Sequence, residues 1–360
     1  MRRSLPVSPC LLVFFLLAAC TSPTLTPAPV EKTLYVFRLS PPALLRLSDD
    51  LTTIENEIPV SFPGECNLSN LYPSPNGTRL AAELSCPAGP VVMLVDPKSG
   101  TTDSLIRDAG VDSHYLAWSP DERSVYLRAD TLVDPHIERV DVTNFQSQQI
   151  PITEFTYDLA AAPDGKAFTF TFSRGLGFGS EIWLAKEDGN VVRQLLADAN
   201  SYLSFARWSP DGKQIAFIKI PDSQVPFTVG ELWVVNADGS HPRKLADADS
   251  GHGYAAAWSP DGSRLAFIVR SNPADAQADQ VADALVSNIA IVEVSSGTVT
   301  PVTRFTGGYA QTPAWSADGH ILAFTSVIDG RMEVQVADLA RDAVSAPITE
   351  PACCPAWMRK

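Results

Sequence analysis

Lysine and arginine are scarce in this chain: 27 stand against 41 acidic residues, for a formal net charge of −14 over 360 residues, and they form no cluster. A nucleic-acid backbone demands a basic footprint, so nucleic acid is excluded as a partner. The apolar run from Cys10 to Ala19 is too short to cross a bilayer as a helix, which needs about 20 residues. No GxSxG elbow occurs, and no Ser-His-Asp or Cys-His spacing stands out, so no nucleophile can be assigned. The cysteines lack a CxxC spacing, and Asp247 to Gly251 lacks the ligand count and terminal Glu of a calcium loop. Gly175-Leu176-Gly177-Phe178-Gly179 is followed by no helix signal and is not a dinucleotide fingerprint. No metal and no cofactor is therefore expected. Hydrophobic content of 45% against 19% charged leaves ample material for a globular core.

The N-terminus reads as a targeting segment. Met1-Arg2-Arg3-Ser4 and the apolar run after it have the layout of a signal peptide over 1–19. Leu17-Ala18-Ala19-Cys20 resembles the lipobox of bacterial lipoproteins. That resemblance implies cleavage before Cys20, acylation of Cys20 and an extracytoplasmic, membrane-anchored place in a bacterial cell envelope. Several acyl chains anchor durably where one is marginal. Residues 20–32 would be the lipidated cysteine and a Pro/Thr-rich tether, with one domain over 33–360. Cys66, Cys86, Cys353 and Cys354 remain, an even number in an export context where disulfides persist. Cys66 is expected to pair with Cys86, since both lie at one end of the same repeat. A link from either to Cys353 or Cys354 is the alternative.

Against these absences stands one repeated phrase. ARWSPDGKQIAFI (Ala206 to Ile218) returns as AAWSPDGSRLAFI (Ala256 to Ile268) and PAWSADGHILAF (Pro313 to Phe324). Looser copies are YPSPNGTRLA from Tyr72, LAWSPDERSVYL from Leu116, AAAPDGKAFTF from Ala160 and the terminal Pro355-Ala356-Trp357. The Trp position falls at Pro73, Trp118, Ala161, Trp208, Trp258, Trp315 and Trp357, a spacing of 42 to 57 residues. Two β-type runs around a Pro-Asp-Gly turn make a hairpin, and a period of roughly 40–50 residues with several strands per unit indicates a β-propeller.

The fourth repeat parses into four strands. A ends at Trp208, B is Gln214 to Ile218, C is Glu231 to Val235 and D is Pro242 to Ala246. The N-terminal part supplies B, C and D strands at Leu34–Phe37, Leu44–Leu47 and Thr53–Val60, while the C-terminus supplies a lone A strand. Together they make one composite blade, so the expectation is an all-β, seven-bladed propeller of four-stranded antiparallel blades closed by both termini. Closure by this route removes an open sheet edge.

The phrase WSPDG-x-x-[IL]-A-F with a following [IL]-W-V-V strand resembles the TolB-type β-propeller repeat, over about residues 33–360. The resemblance implies the fold. In TolB itself the propeller binds a peptidoglycan-associated lipoprotein, and related propellers occur in envelope proteins and in the prolyl oligopeptidase family. This chain lacks the additional N-terminal α/β domain of TolB and carries the lipobox instead.

Strand parity puts the A–B and C–D turns on one face and the B–C and D–A loops on the other. The long irregular segments, among them Ser173–Ser180, Lys219–Gly230 and Arg270–Ser287, all fall on the second face, where function usually sits. Arg270–Ser287 reads as holding a short helix capped by Asn272. Tyr115, Tyr157, Tyr202, Tyr254 and Tyr309 read as D–A loop residues, with His114 and His252 beside two of them. They are the candidate recognition rim, since Tyr combines a large contact area with a hydroxyl; capping of strand ends is the other reading. Arg207, with Asp158, is the exceptional polar group of the A strands. The expected function is non-catalytic binding of a protein, peptide or glycan. A small-molecule or glycan hydrolase or lyase working at the channel mouth is the alternative.

Overall fold

In the computed structural model, residues 31–106, 110–131, 135–152, 156–250, 255–346 and 348–360 are described. The leader, Cys20, His252 and Tyr254 lie outside them. Seven four-stranded antiparallel sheets form a seven-bladed β-propeller. Blades 1 to 6 are numbered by repeat. Their A strands are Asn67–Pro73, Asp112–Trp118, Thr156–Ala161, Ser201–Trp208, Ala257–Trp258 and Tyr309–Trp315. Blade 7 is the composite, in which Ala352–Arg359 pairs with Lys32–Arg38, followed by Ala43–Leu47 and Ile54–Pro59.

The repeated phrase has a mechanical explanation. In the turns at Ser119, Ser209, Ser259 and Ser316, the serine hydroxyl donates to the Asp two residues on and accepts the amide five residues on. Gly212, Gly262 and Gly319 hold the φ near +70° that the turn requires. The Trp that precedes each turn staples blades together. The indole N–H of Trp118, Trp208, Trp258, Trp315 and Trp357 donates to the carbonyl of Tyr72, Ala160, Arg207, Ala257 and Ala314 respectively, always one blade back, at 2.9–3.1 Å.

Blades 1 and 3 carry Pro73 and Ala161 at this position, so their junctions use other means. Between blades 7 and 1, the amide of Arg359 donates to Gly77 O and the Lys32 ammonium to Pro75 O. A Cβ on Gly77 would lie 2.7 Å from Trp357 O, so only glycine allows this approach. Between blades 2 and 3, Tyr126 packs on Phe168 and Arg139 pairs with Glu187. The core is correspondingly a set of apolar layers between neighbouring blades. Phe37, Phe168, Phe267 and Phe324 are each at most 2% exposed, and burying one such ring is worth roughly 1.5–3 kcal/mol.

No helix forms over Arg270–Ser287, where Ala282–Ala284 makes a single 3₁₀ turn. The segment is organised instead by Arg270, 4% exposed, whose guanidinium donates to Phe227 O, Asp279 Oδ1 and Asp275 O. Three aspartates four residues apart oppose a helix, and the buried arginine pairs with the carboxylate of one of them, Asp279, while holding the Asp275 carbonyl.

Candidate functional site: the central channel

Each A strand runs down the channel wall, and six of the seven break register with their B strand around the third residue before the Trp position. A β-bulge re-aims side chains, and these bulges aim theirs inward. Blade by blade the ring reads Asn70, Tyr115, Asp158, Phe205, Ala255, Thr312 and Cys354, all lining one cavity of about 620 Å³. Phe205, Thr312 and Cys354 sit at φ of +58°, +52° and +60°. Such left-handed backbone at non-glycine residues costs on the order of 1–3 kcal/mol and persists only where the surroundings enforce it. Cavity-lining Pro75 and Pro163 belong to A–B turns, so the cavity reaches toward the turn face.

Two further positions, one residue before the Trp position, add chemistry. Arg207 Nη1 donates to Asp158 Oδ1 at 3.0 Å and to Ala206 O at 2.7 Å, while Asp158 Oδ2 accepts the Ala206 amide at 2.9 Å. The Arg207 side chain keeps about a third of its surface exposed, in the cavity. Burial opposes its charge, yet the Asp158 carboxylate outweighs that and raises its pKa. Tyr72 stacks on Tyr115 with centroids 3.7 Å apart and planes 10° apart. The Tyr72 hydroxyl donates to Glu83 Oε2, whose other oxygen meets His114 Nδ1 at 3.1 Å. Burial pushes both phenols up, with Glu83 adding to the shift at Tyr72, so both stay protonated.

The described tyrosines of the candidate rim and His114 do not lie in D–A loops. Tyr115, Tyr157, Tyr202 and Tyr309 are residues of A strands, because those strands begin several residues earlier than the apolar pattern suggests. Tyr115 and Tyr157 line the cavity, and the Tyr157 hydroxyl donates to Leu203 O. Tyr202 and Tyr309 start their strands at the loop face and are not part of the wall. His114 is half-exposed behind the wall, its pKa raised chiefly by the bond to Glu83, with Asp130 3.8 Å from Nε2. Cys66 is bonded to Cys86, and Cys353 to Cys354. Among the described residues no group of three or more His, Cys, Asp or Glu is placed to hold a metal. Tyr72, Asn70, Phe205 and Thr312 are site residues that the sequence pattern did not single out, and Cys354 was singled out only as a disulfide candidate. The available signal was their fixed distance from the Trp position.

No family model and no curated protein sequence matches this chain. Solved structures do. TolB from Acinetobacter baumannii matches 93% of this chain and 68% of its own, at 18% identity and a TM-score of 0.53. The likeness is one of fold. An oligogalacturonate lyase from Vibrio parahaemolyticus matches 89% of this chain and 86% of its own, at 14% identity and a TM-score of 0.55. Prolyl oligopeptidase B from Galerina marginata matches 79% of this chain and 44% of its own, at 11% identity and a TM-score of 0.55. A TolB, a lyase and a peptidase thus share this architecture, and function has to be argued from the channel.

Proposed function

We propose that the protein is a lipid-anchored, extracytoplasmic binding propeller that recognises a segment of a protein, peptide or glycan without turning it over. The observation that carries this reading is the channel wall from blade 1 to blade 4. There an aromatic stack and a neutralised ion pair face a cavity large enough for several residues of a ligand. The guanidinium offers further N–H donors in a planar fork, and the stacked rings offer apolar faces. Two protonated phenols and an arginine paired with its own carboxylate suit recognition better than proton transfer. The fold neighbours include TolB, which supports a binding role.

Photocrosslinking from position 205, followed by a binding assay on the captured ligand, tests the reading. Tyr115→Ala should weaken binding by about 1–3 kcal/mol, the range of interface hot spots. Val192→Ser, on the outer edge of blade 3 and half-exposed, should leave it unchanged. Equal affinities of the two variants would refute the channel as the site. The anchor is tested separately: intact-mass analysis should find an acylated chain beginning at Cys20, and an unmodified N-terminus elsewhere would remove it. A hydrolase or lyase is the second reading, favoured by the lyase among the fold neighbours and by Asp158 in the wall. Turnover of the captured ligand would establish it.

A further inference from the structure

A second cavity, of about 320 Å³, lies on the loop face at the seam where blades 6, 7 and 1 meet. Its floor and sides are Phe37, Leu39, Phe62, Leu68 and Met332. The Phe37 and Phe62 rings stack with centroids 5.7 Å apart. Sulfur makes up much of the rest. Cys66, Cys353 and Cys354 all contribute to the wall, so both disulfides border the same space together with the Met332 thioether. Asn67, Ser69 and Gln311 are the polar side chains present, and no charged residue is among those that line it.

This lining selects a ligand by what it lacks as much as by what it has. A carboxylate, phosphate or ammonium group would be desolvated there without a partner, which is prohibitive. A polyhydroxylated ring would find only three polar side chains for its hydroxyls. Aromatic rings, by contrast, make favourable contacts with polarizable sulfur and with other rings. The volume is at the lower end of the range for small-molecule sites, enough for one or two fused rings. Cys354 borders both this pocket and the channel, so its disulfide is a shared partition.

We propose that this seam pocket binds an uncharged aromatic ring, from a small molecule or from a peptide side chain, against the Phe37–Phe62 pair and the Cys353–Cys354 bridge. The site is distinct from the channel and does not depend on the channel's being a binding site.

Two probes separate the sources of the ring: indole, and the capped tripeptide acetyl-Gly-Trp-Gly-amide. Methyl NMR of the full chain should show the Met332 resonance shifting with indole while Met358, buried in the blade 7 A strand and not part of the pocket wall, stays put. Tighter binding of the tripeptide than of indole would identify a peptide side chain as the occupant, and the reverse order a small molecule. Leu68→Trp, at a half-buried position of the wall, fills the pocket and should weaken indole at least tenfold. Arg207→Ala should leave indole binding within twofold. If Leu68→Trp proves unstable, the Met332 shift in the parent chain decides alone. Absence of that shift at millimolar indole, or loss of indole binding in Arg207→Ala, overturns the proposal.

Discussion

Between blades 1 and 4 the channel wall presents Asn70, Tyr72, Tyr115, Asp158, Phe205 and Arg207, whereas between blades 5 and 7 it presents Ala255, Thr312, Ala314, Pro355 and a disulfide. The first half is hydrogen-bonding and aromatic; the second is small and nearly inert. The contrast follows the fidelity of the repeat in blades 1, 2, 3, 5 and 6, while blades 4 and 7 depart from it. Blades 1 to 3 descend from the loose copies YPSPNG, LAWSPDE and AAAPDG, while blades 5 and 6 carry WSPDG and WSADG. Blade 4 has a faithful motif yet holds Phe205 and Arg207 just ahead of its Trp. In all of them the motif fixes the turn, where a Trp is present it also fixes the staple, and the residue three before the Trp position is left free. Chemistry accumulates at that free position.

If the inert half is scaffold, breaking it should cost the most stability. Deleting Pro355 to Lys360 removes much of the blade 7 A strand, the bond from Trp357 to Ala314 O and the buried Met358. Loss of one large buried side chain alone costs about 3–5 kcal/mol, a large share of a typical domain's stability. The truncated chain should aggregate or melt far below the parent, as circular dichroism and sedimentation would report. An unchanged melting temperature would mean that ring closure does not depend on this strand.

The same contrast explains what could be read from the sequence. Turn chemistry is local, so Pro-Asp-Gly or a near variant after an apolar run marked the A–B hairpins of blades 1 to 6, and the seven Trp positions marked the blade number. The composite blade was legible because the N-terminal part supplied B, C and D strands without an A strand, while Pro355–Trp357 was an A strand with no strand after it. The channel ring was not legible in the same way. A bulge changes side-chain direction without changing composition, so Tyr115 reads the same in a loop as in a strand that turns it inward. The Arg270 segment misled for a related reason: its apolar spacing fits a helix, but a buried guanidinium three-dimensionally close to Phe227 O outweighs that preference.

Within the reactive half, a smaller effect separates structural from recognition roles. Arg207→Ala leaves Asp158, whose side chain is 11% exposed, with only the Ala206 amide as a partner. An uncompensated, largely buried carboxylate is destabilising, so a loss of about 1–3 kcal/mol in urea unfolding is expected. Thr312→Ala, in the inert half, removes only a 3.3 Å contact to Thr325 and should change stability by less than about 1 kcal/mol. Replacing both members, as in Asp158→Asn with Arg207→Met, should recover part of the loss. If the double variant is no more stable than Arg207→Ala, the ion pair is not the cause.

The smallest effect belongs to the turns of the faithful copies, and it is visible only in acid. The Ser209 hydroxyl, then Lys213, holds the Asp211 carboxyl down to about 2, and the Ser259 hydroxyl does the same for Asp261, also at about 2. A carboxylate whose pKa is depressed on folding contributes stability that is complete above its unfolded value, near 3.9, and is lost as pH falls through the folded value. Both side chains are largely solvated, so screening keeps each contribution modest. Carbon-detected NMR titration should place both midpoints near 2, with the Ser209→Ala and Ser259→Ala variants moving their own Asp upward toward the ordinary range. Stability of the parent relative to these variants should then converge between pH 4 and pH 2. Midpoints that do not move when the serines are removed would show that the hydroxyl is not what holds the turn carboxylate, and the repeated Ser-x-Asp would need another explanation.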